Sequence, residues 1–180
     1  MRIISGTARG TNLFTLEGTD TRPTLDRVKE SLFNIINLKI YDAVVLDLFS
    51  GSGAIGLEFA SRGAKEVVLC DNSKKATQII QKNIEKTHLQ EKVKLYNCDY
   101  IELLENSKDK KFDIIYLDPP YKTDYIIEAI NLILDFDLID EDGLIIAETD
   151  EPERIESELN EKNITILDKR KYGRAYLIFI

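Results

Sequence analysis

At 180 residues, 43% hydrophobic and 31% charged, the chain is long enough for one domain with a sizeable core and is not composed like a disordered one. A net charge of −8 argues against a general nucleic-acid binder, and neither the apolar runs nor the start Met1-Arg2-Ile3-Ile4-Ser5-Gly6 suggests a membrane. The lone His88, with Cys70 and Cys98 lacking metal-ligand spacing, argues against a metal site or a histidine-based triad; the cysteines read as reduced core residues of a cytoplasmic protein.

Residues 1–19 read as a short hairpin, strand-like at 2–5 and 12–16 across Thr7-Ala8-Arg9-Gly10. It is too small to be stable alone, so it is expected to dock on the body as an N-terminal extension over residues 1–20. Arg22-Pro23-Thr24 follows, with Thr24 the predicted N-cap of a helix in which Val28, Leu32, Ile35 and Ile36 recur at helical spacing to about residue 38. Arg27, Lys29 and Glu30 fall off that stripe. From residue 43 the pattern is a βα repeat. An apolar strand at 43–49 carries one acid, Asp47, and leads through a glycine turn at 50–56 into a helix at 54–62. Strands are predicted at 66–70, ending at Asp71, at 93–97, ending near Asp99, and at 112–117, with helices at 74–86 and 101–105 between them. A helix at 126–134, a strand at 144–147 and a helix at 152–159 follow. The chain then closes as a hairpin of strands 164–167 and 175–180 around Tyr172-Gly173. Alternating strands and helices with a terminal antiparallel hairpin define an α/β fold, a doubly wound, mostly parallel sheet with helices on both faces.

Two motifs carry chemistry. Gly51-Ser52-Gly53-Ala54-Ile55-Gly56 fits G-x-G-x-x-G between a strand and a helix, where the backbone can approach a ligand and the helix N-terminus offers unpaired N–H groups. Alone it does not separate NAD from S-adenosylmethionine. Asp47, just before the turn, would repel a pyrophosphate but suits the ammonium of a methionine moiety. Asp71 can take both ribose hydroxyls, and Asp99 the amino group of adenine. Three acids at the carboxyl ends of consecutive parallel strands stand where open sheets bind ligands.

The second motif, Asp118-Pro119-Pro120-Tyr121, directly follows Ile114-Ile115-Tyr116-Leu117. Two prolines make a stiff loop that presents a carboxylate, free carbonyls and one aromatic ring. Asp118 and the Pro119 carbonyl can accept hydrogen bonds from an exocyclic amino group, aiming its lone pair at a sulfonium methyl, while Tyr121 stacks on the flipped base.

Over nearly its whole length the chain resembles the RsmD family of 16S rRNA guanine-N2 methyltransferases. The likeness lies in Ile4-Ser5-Gly6 with Arg9-Gly10, in Arg22-Pro23-Thr24, and in Asp26-Arg27-Val28-Lys29-Glu30-Ser31-Leu32-Phe33-Asn34. It continues through Leu46-Asp47-Leu48-Phe49-Ser50-Gly51-Ser52-Gly53-Ala54-Ile55-Gly56-Leu57-Glu58, Ser61-Arg62-Gly63-Ala64 and Leu117-Asp118-Pro119-Pro120-Tyr121. The resemblance implies a seven-stranded class I methyltransferase domain with S-adenosylmethionine as cofactor and no metal. It also implies methylation of one guanine of small-subunit rRNA within a 30S particle or assembly intermediate, by a monomer. Thr24 would help hold the methionine part. The N-terminal end, with Arg9, Arg22 and Arg27, would face the RNA. Residues 1–40 carry a charge of +2 against −10 for the remainder, and Lys169-Arg170-Lys171 with Arg174 forms a second small basic group. The alternative is an adenine-N6 methyltransferase on RNA or DNA, which shares the Asp-Pro-Pro-Tyr chemistry; Asp47 and the Pro-Pro loop speak against an NAD-dependent oxidoreductase, and the intact Asp118 and Tyr121 against a non-enzymatic assembly factor.

Overall fold

The computed structural model describes residues 1–16 and 23–180, with the side chains of residues 23–26 left aside. The strands β1 (Val44–Asp47), β2 (Glu66–Cys70), β3 (Val93–Tyr96), β4 (Phe112–Leu117), β5 (Ile139–Thr149), β6 (Asp168–Tyr172) and β7 (Ala175–Phe179) form one sheet in the order β3-β2-β1-β4-β5-β7-β6. The pairs among β1 to β5 are parallel; β7 runs antiparallel to β5 and to β6. The order in which strands are added reverses between β1 and β4, and an open sheet leaves a crevice at that point beyond its carboxyl ends.

Near-continuous apolar runs form β1 and β4 because both faces are covered. On one face Val45, Ile114, Tyr116 and Ile146 pack against α1 (Pro23–Ile35), α2 (Ala54–Ser61) and α3 (Lys74–Thr87). On the other, Leu46, Ile115, Leu117 and Ala147 pack against α4 (Tyr100–Glu105), α5 (Tyr125–Asp135) and α6 (Pro152–Glu161). Asp47 sits in register with Tyr116, so both fall on the α1 face at the top of the sheet.

Four boundaries differ from the sequence reading, each for a physical reason. The helix α1 begins at Pro23, which suits a first-turn position, so Thr24 lies inside the helix and is not its N-cap. The N-terminal strands reduce to one antiparallel bridge, Arg2 to Asn12, flanked by Ile3 N–H to Thr11 O (3.0 Å) and Leu13 N–H to Met1 O (3.0 Å); residues 17–20 of the extension lie outside the described residues. The strand β5 starts at Ile139, its first half masked by the acids Asp140, Glu141 and Asp142. The strand expected at 164–167 is instead β6 at Asp168–Tyr172, an outer edge whose middle residues Lys169, Arg170 and Lys171 are exposed and charged, as edges that resist pairing tend to be.

The N-terminal segment is held down by a buried acid. Glu58 of α2 is fully buried and accepts the amides of Ile4 (2.8 Å) and Ser5 (2.9 Å), while Arg62 Nε (2.8 Å) and Lys29 Nζ (3.0 Å) supply charge. Lys29 Nζ also donates to the Arg2 carbonyl (2.7 Å), and Ser61 Oγ donates to the Ser5 carbonyl (2.6 Å). Further along, the buried Asn83 of α3 accepts from Phe14 N–H (2.8 Å) and donates to the carbonyls of Phe14 and Ser52 (both 2.9 Å). One amide thereby ties the N-terminal segment to the glycine turn. Removing one partner of a buried charge cluster leaves the others unpaired. Glu58→Ala should therefore cost roughly 3–5 kcal/mol in urea unfolding and speed hydrogen exchange at the Ile4 and Ser5 amides ahead of the sheet. Equal protection of those amides in wild type and variant would contradict the clamp.

Candidate active site

The turn from Ser50 to Gly56 is stapled to the ends of β1 and β2. Ser50 Oγ donates to the Asp47 carbonyl (2.7 Å) and accepts from Cys70 N–H (3.1 Å). Asp71 accepts from Gly51 N–H (2.9 Å) and Ser73 N–H (2.8 Å), so its carboxylate joins the glycine turn to the start of α3. Gly53 sits at φ 77° where α2 begins, a conformation glycine adopts without strain. At Gly56 a Cβ would lie 2.1 Å from Leu69 Cδ2, so only glycine lets α2 approach β2 this closely.

Gly56 N–H donates to Asp47 Oδ2 (3.0 Å). Asp47 Oδ1 is buried with no hydrogen-bond partner among the described residues. Burial raises the Asp47 carboxyl from 3.8 to about 7, the Asp71 charge adding to the rise while the Gly56 N–H and Ser50 oppose it. A buried acceptor with one oxygen unpaired fits an incoming ammonium group.

Above the turn the cleft has two lobes. The larger, about 460 Å³, is lined by Asp71, Asn72, Ser73, Cys98, Tyr100 and Tyr121 among others. The smaller, about 240 Å³, runs under α1 past Lys29, Leu32, Asp47, Ser52, Tyr116 and Glu148. Phe49, Gly51 and Asp118 line both, so Asp118 stands at the junction. A nucleoside fits the first lobe, where Asp71 keeps lone pairs for ribose hydroxyls. Its amino-acid tail fits the second, where Asp47 lacks a partner. The residues therefore suit S-adenosylmethionine, the cofactor implied by the resemblance.

Asp118 opens to solvent through the cleft, and its carboxyl is raised by the concave surroundings and by the nearby Glu148 and Asp47 charges. Pro119 is buried, while Tyr121 is 53% exposed, its ring available at the rim of the larger lobe. Confinement and the Asp118 charge push the Tyr121 hydroxyl up to about 12, so it stays neutral.

Of the residues singled out in the sequence, the structure gathers Asp47, Gly51, Ser52, Asp71, Asp118, Pro119 and Tyr121 around this cleft. Gly53 lines neither lobe. Asp99 is also outside the lining: its exposed carboxylate accepts from Ile101 N–H (2.9 Å) as the N-cap of α4, and its neighbours Cys98 and Tyr100 face the cleft instead. Arg9 is exposed in a separate recess of about 300 Å³ with Arg2 and Glu30, and Arg27 is exposed on α1. Arg22 and the side chain of Thr24 fall outside the described residues.

Three cleft residues escaped the sequence reading. Glu148, 5% exposed, accepts from Tyr116 Oη at 2.5 Å, and both line the smaller lobe. Glu148 ends its apolar run just as Asp47 and Asp118 end theirs, the signal that could have found it. Lys29, off the helical stripe, is buried by its pairing with Glu58.

The strand order, the reversal between β1 and β4 and the acids at the strand ends define a class I S-adenosylmethionine-dependent methyltransferase fold. The family model described as "Conserved hypothetical protein 95" matches residues 1–180, and the chain belongs to that family, the RsmD family. The chain is 37% identical to protein YlbH of Bacillus subtilis over 96% of this chain and 94% of that one. It is 32% identical to Ribosomal RNA small subunit methyltransferase D of Haemophilus influenzae, over 96% of this chain and 89% of the relative. The solved structure of yhhF from Escherichia coli superposes with a TM-score of 0.83 at 30% identity, covering 99% of this chain and 96% of that one.

Because the folded carboxyl of Asp47 holds its proton to about pH 7 and an unfolded one releases it near 3.8, the ligand-free protein should lose stability as pH rises through that window. The loss from this group is at most roughly 4 kcal/mol, at about 1.4 kcal/mol per pH unit. Glu148 and Asp118 slope the same way, so Asp47→Asn should flatten the profile only in part. Urea unfolding at pH 5 and pH 8 measures it, and identical slopes in the two proteins would refute the assignment.

Proposed function

We propose that the protein transfers the methyl group of S-adenosylmethionine to the N2 amino group of one guanine in 16S rRNA, presented in a 30S particle or assembly intermediate. The observation that carries this reading is the position of Asp118 at the junction of the two lobes, with Tyr121 exposed beside it. Membership of the RsmD family and the relative named for small-subunit rRNA support the substrate class.

The bound cofactor supplies an electrophilic sulfonium methyl. Asp47 takes its ammonium, the Gly51 to Gly53 turn its backbone-facing side, and Asp71 its ribose hydroxyls; Thr24, at the start of α1, contributes to the methionine end. The adenine amino group, first assigned to Asp99, meets the Cys98–Tyr100 segment in this placement, with Asp99 holding that segment through its cap on α4. The Asp118 carboxylate and Pro119 carbonyl accept the two amino hydrogens of guanine and turn the nitrogen lone pair towards the methyl. As the nitrogen–carbon bond forms and the sulfur–carbon bond breaks, the nitrogen becomes acidic and releases a proton to water or to Asp118, whose raised affinity for protons suits it to the task. Tyr121 stacks on the extruded base. The sulfur leaves without a Lewis acid, so no metal enters this scheme.

The N-terminal extension, residues 1–20, faces the RNA, with Arg9, Arg22 and Arg27 on phosphates. One copy carries every residue assigned, consistent with a monomer, and the substrate places the enzyme in the cytoplasm. Among the described residues no helix is long and apolar enough to cross a membrane.

The test is transfer of labelled methyl from S-adenosylmethionine to small subunits from a strain lacking the protein, followed by nucleoside analysis. One N2-methylguanosine is expected; label in methyladenosine would overturn the guanine assignment. Asp118→Ala should slow transfer by about 100-fold or more while cofactor affinity stays within several-fold. Arg9→Glu with Arg22→Glu should abolish transfer and spare cofactor binding, and unchanged transfer would remove the RNA role of that end.

A further inference from the structure

The scheme above leaves Glu148 unused, although it is buried in the same lobe as Asp118. The parallel register pairs Leu117 with Ala147, so the next positions along β4 and β5 are Asp118 and Glu148, side by side at about one strand spacing, 4.8 Å. Both follow the face of Tyr116 and Ile146, which pair two residues earlier. The Tyr116 ring is buried, and its hydroxyl fixes Glu148 by donating to Oε2 at 2.5 Å. No other hydrogen bond to Glu148 is seen among the described residues, and its second oxygen is not sealed away from the lobe. The result is a rigid acceptor beside the acceptor that takes the amino group.

Two adjacent acceptors match an edge with two adjacent donors. Guanine offers that edge, because N1–H lies next to the N2 amino group. A base with the same amino group but a bare N1 puts a lone pair against the second carboxylate. Loss of the hydrogen bond and repulsion between like partial charges then act together.

We propose that Glu148 is a specificity-determining residue: its carboxylate accepts the N1–H of the target guanine beside the amino group held by Asp118, and thereby excludes bases whose ring nitrogen carries no proton. This rests on the guanine-N2 reading. Burial pushes the Glu148 carboxyl up and the Tyr116 hydroxyl pulls it back; a donated N1–H adds to the second effect and favours the charged form. The Tyr116 ring is a positioning group, since it acts on the base through Glu148.

The experiment uses small subunits reconstituted with guanine or 2-aminopurine at the position mapped by the nucleoside analysis. The 2-aminopurine keeps the N2 amino group and lacks N1–H. Wild-type enzyme should prefer guanine by about 100-fold or more in kcat/KM. Glu148→Gln, whose amide offers a donor as well as an acceptor, should narrow that preference at least about tenfold while cofactor Kd stays within about threefold. Tyr116→Phe should narrow it less, by freeing the Glu148 carboxylate, and it carries the test if Glu148→Gln does not fold. An unchanged preference in the folded variants, or a loss of transfer matched by loss of cofactor binding, would overturn the proposal. Absence of any N2-methylguanosine in the mapping step would instead bring down the guanine reading on which it rests.

Discussion

The cost of keeping carboxylates out of water at the carboxyl ends of β1, β4 and β5 governs the rest of this molecule. Asp47 and Glu148 are enclosed, Asp118 is exposed at the cleft, and each has its carboxyl raised. Apolar residues at positions 47 and 148 would continue the strands and pack under α1. The protein keeps acceptors there instead, one with an orphaned oxygen. Such an arrangement is destabilising in the empty state and becomes favourable when donors or cations arrive.

The N-terminal segment is the second half of that design. A cleft lined by acids gains selectivity only if it excludes water, and the smaller lobe is closed by Met1, Thr15 and Leu16 together with α1. Those residues stay in place because Glu58 gathers the Ile4 and Ser5 amides with two cations, and because Asn83 bonds Phe14 and Ser52 at once. The glycine turn, which meets the cofactor, and the extension, which meets the RNA in the proposed scheme, thus share one hydrogen-bonding side chain.

Much of this was legible in the sequence, because the signals were local. Asp47, the glycine turn, Asp71 and Asp118 each follow an apolar run, and the alternating strands and helices announced a mostly parallel sheet. What escaped depended on partners distant in sequence. Lys29 looks like a solvated residue until Glu58, which no helical periodicity predicts, is placed against it. Asp99 reads as a ligand acceptor in the sequence, whereas in the fold one of its oxygens caps α4 at the Ile101 N–H and the residue lines neither lobe. Glu148 follows its apolar run as Asp118 does but has no glycine or proline motif beside it, and only the β4–β5 register brings it next to Asp118. The outer strand β6 was misplaced because a charged edge has no apolar face to announce it.

The crowding of negative charge also joins the two lobes of the cleft. In the empty cleft burial raises the proton affinity of Asp47, Asp118 and Glu148, and the Glu148 and Asp47 charges add to the rise at Asp118. A cofactor bearing an ammonium group beside Asp47 and a sulfonium at the junction reverses the local field. In the proposed scheme that positive charge favours the ionised forms of Asp118 and Glu148, the acceptors that a base edge with two donors requires, so the acids link the two lobes through charge.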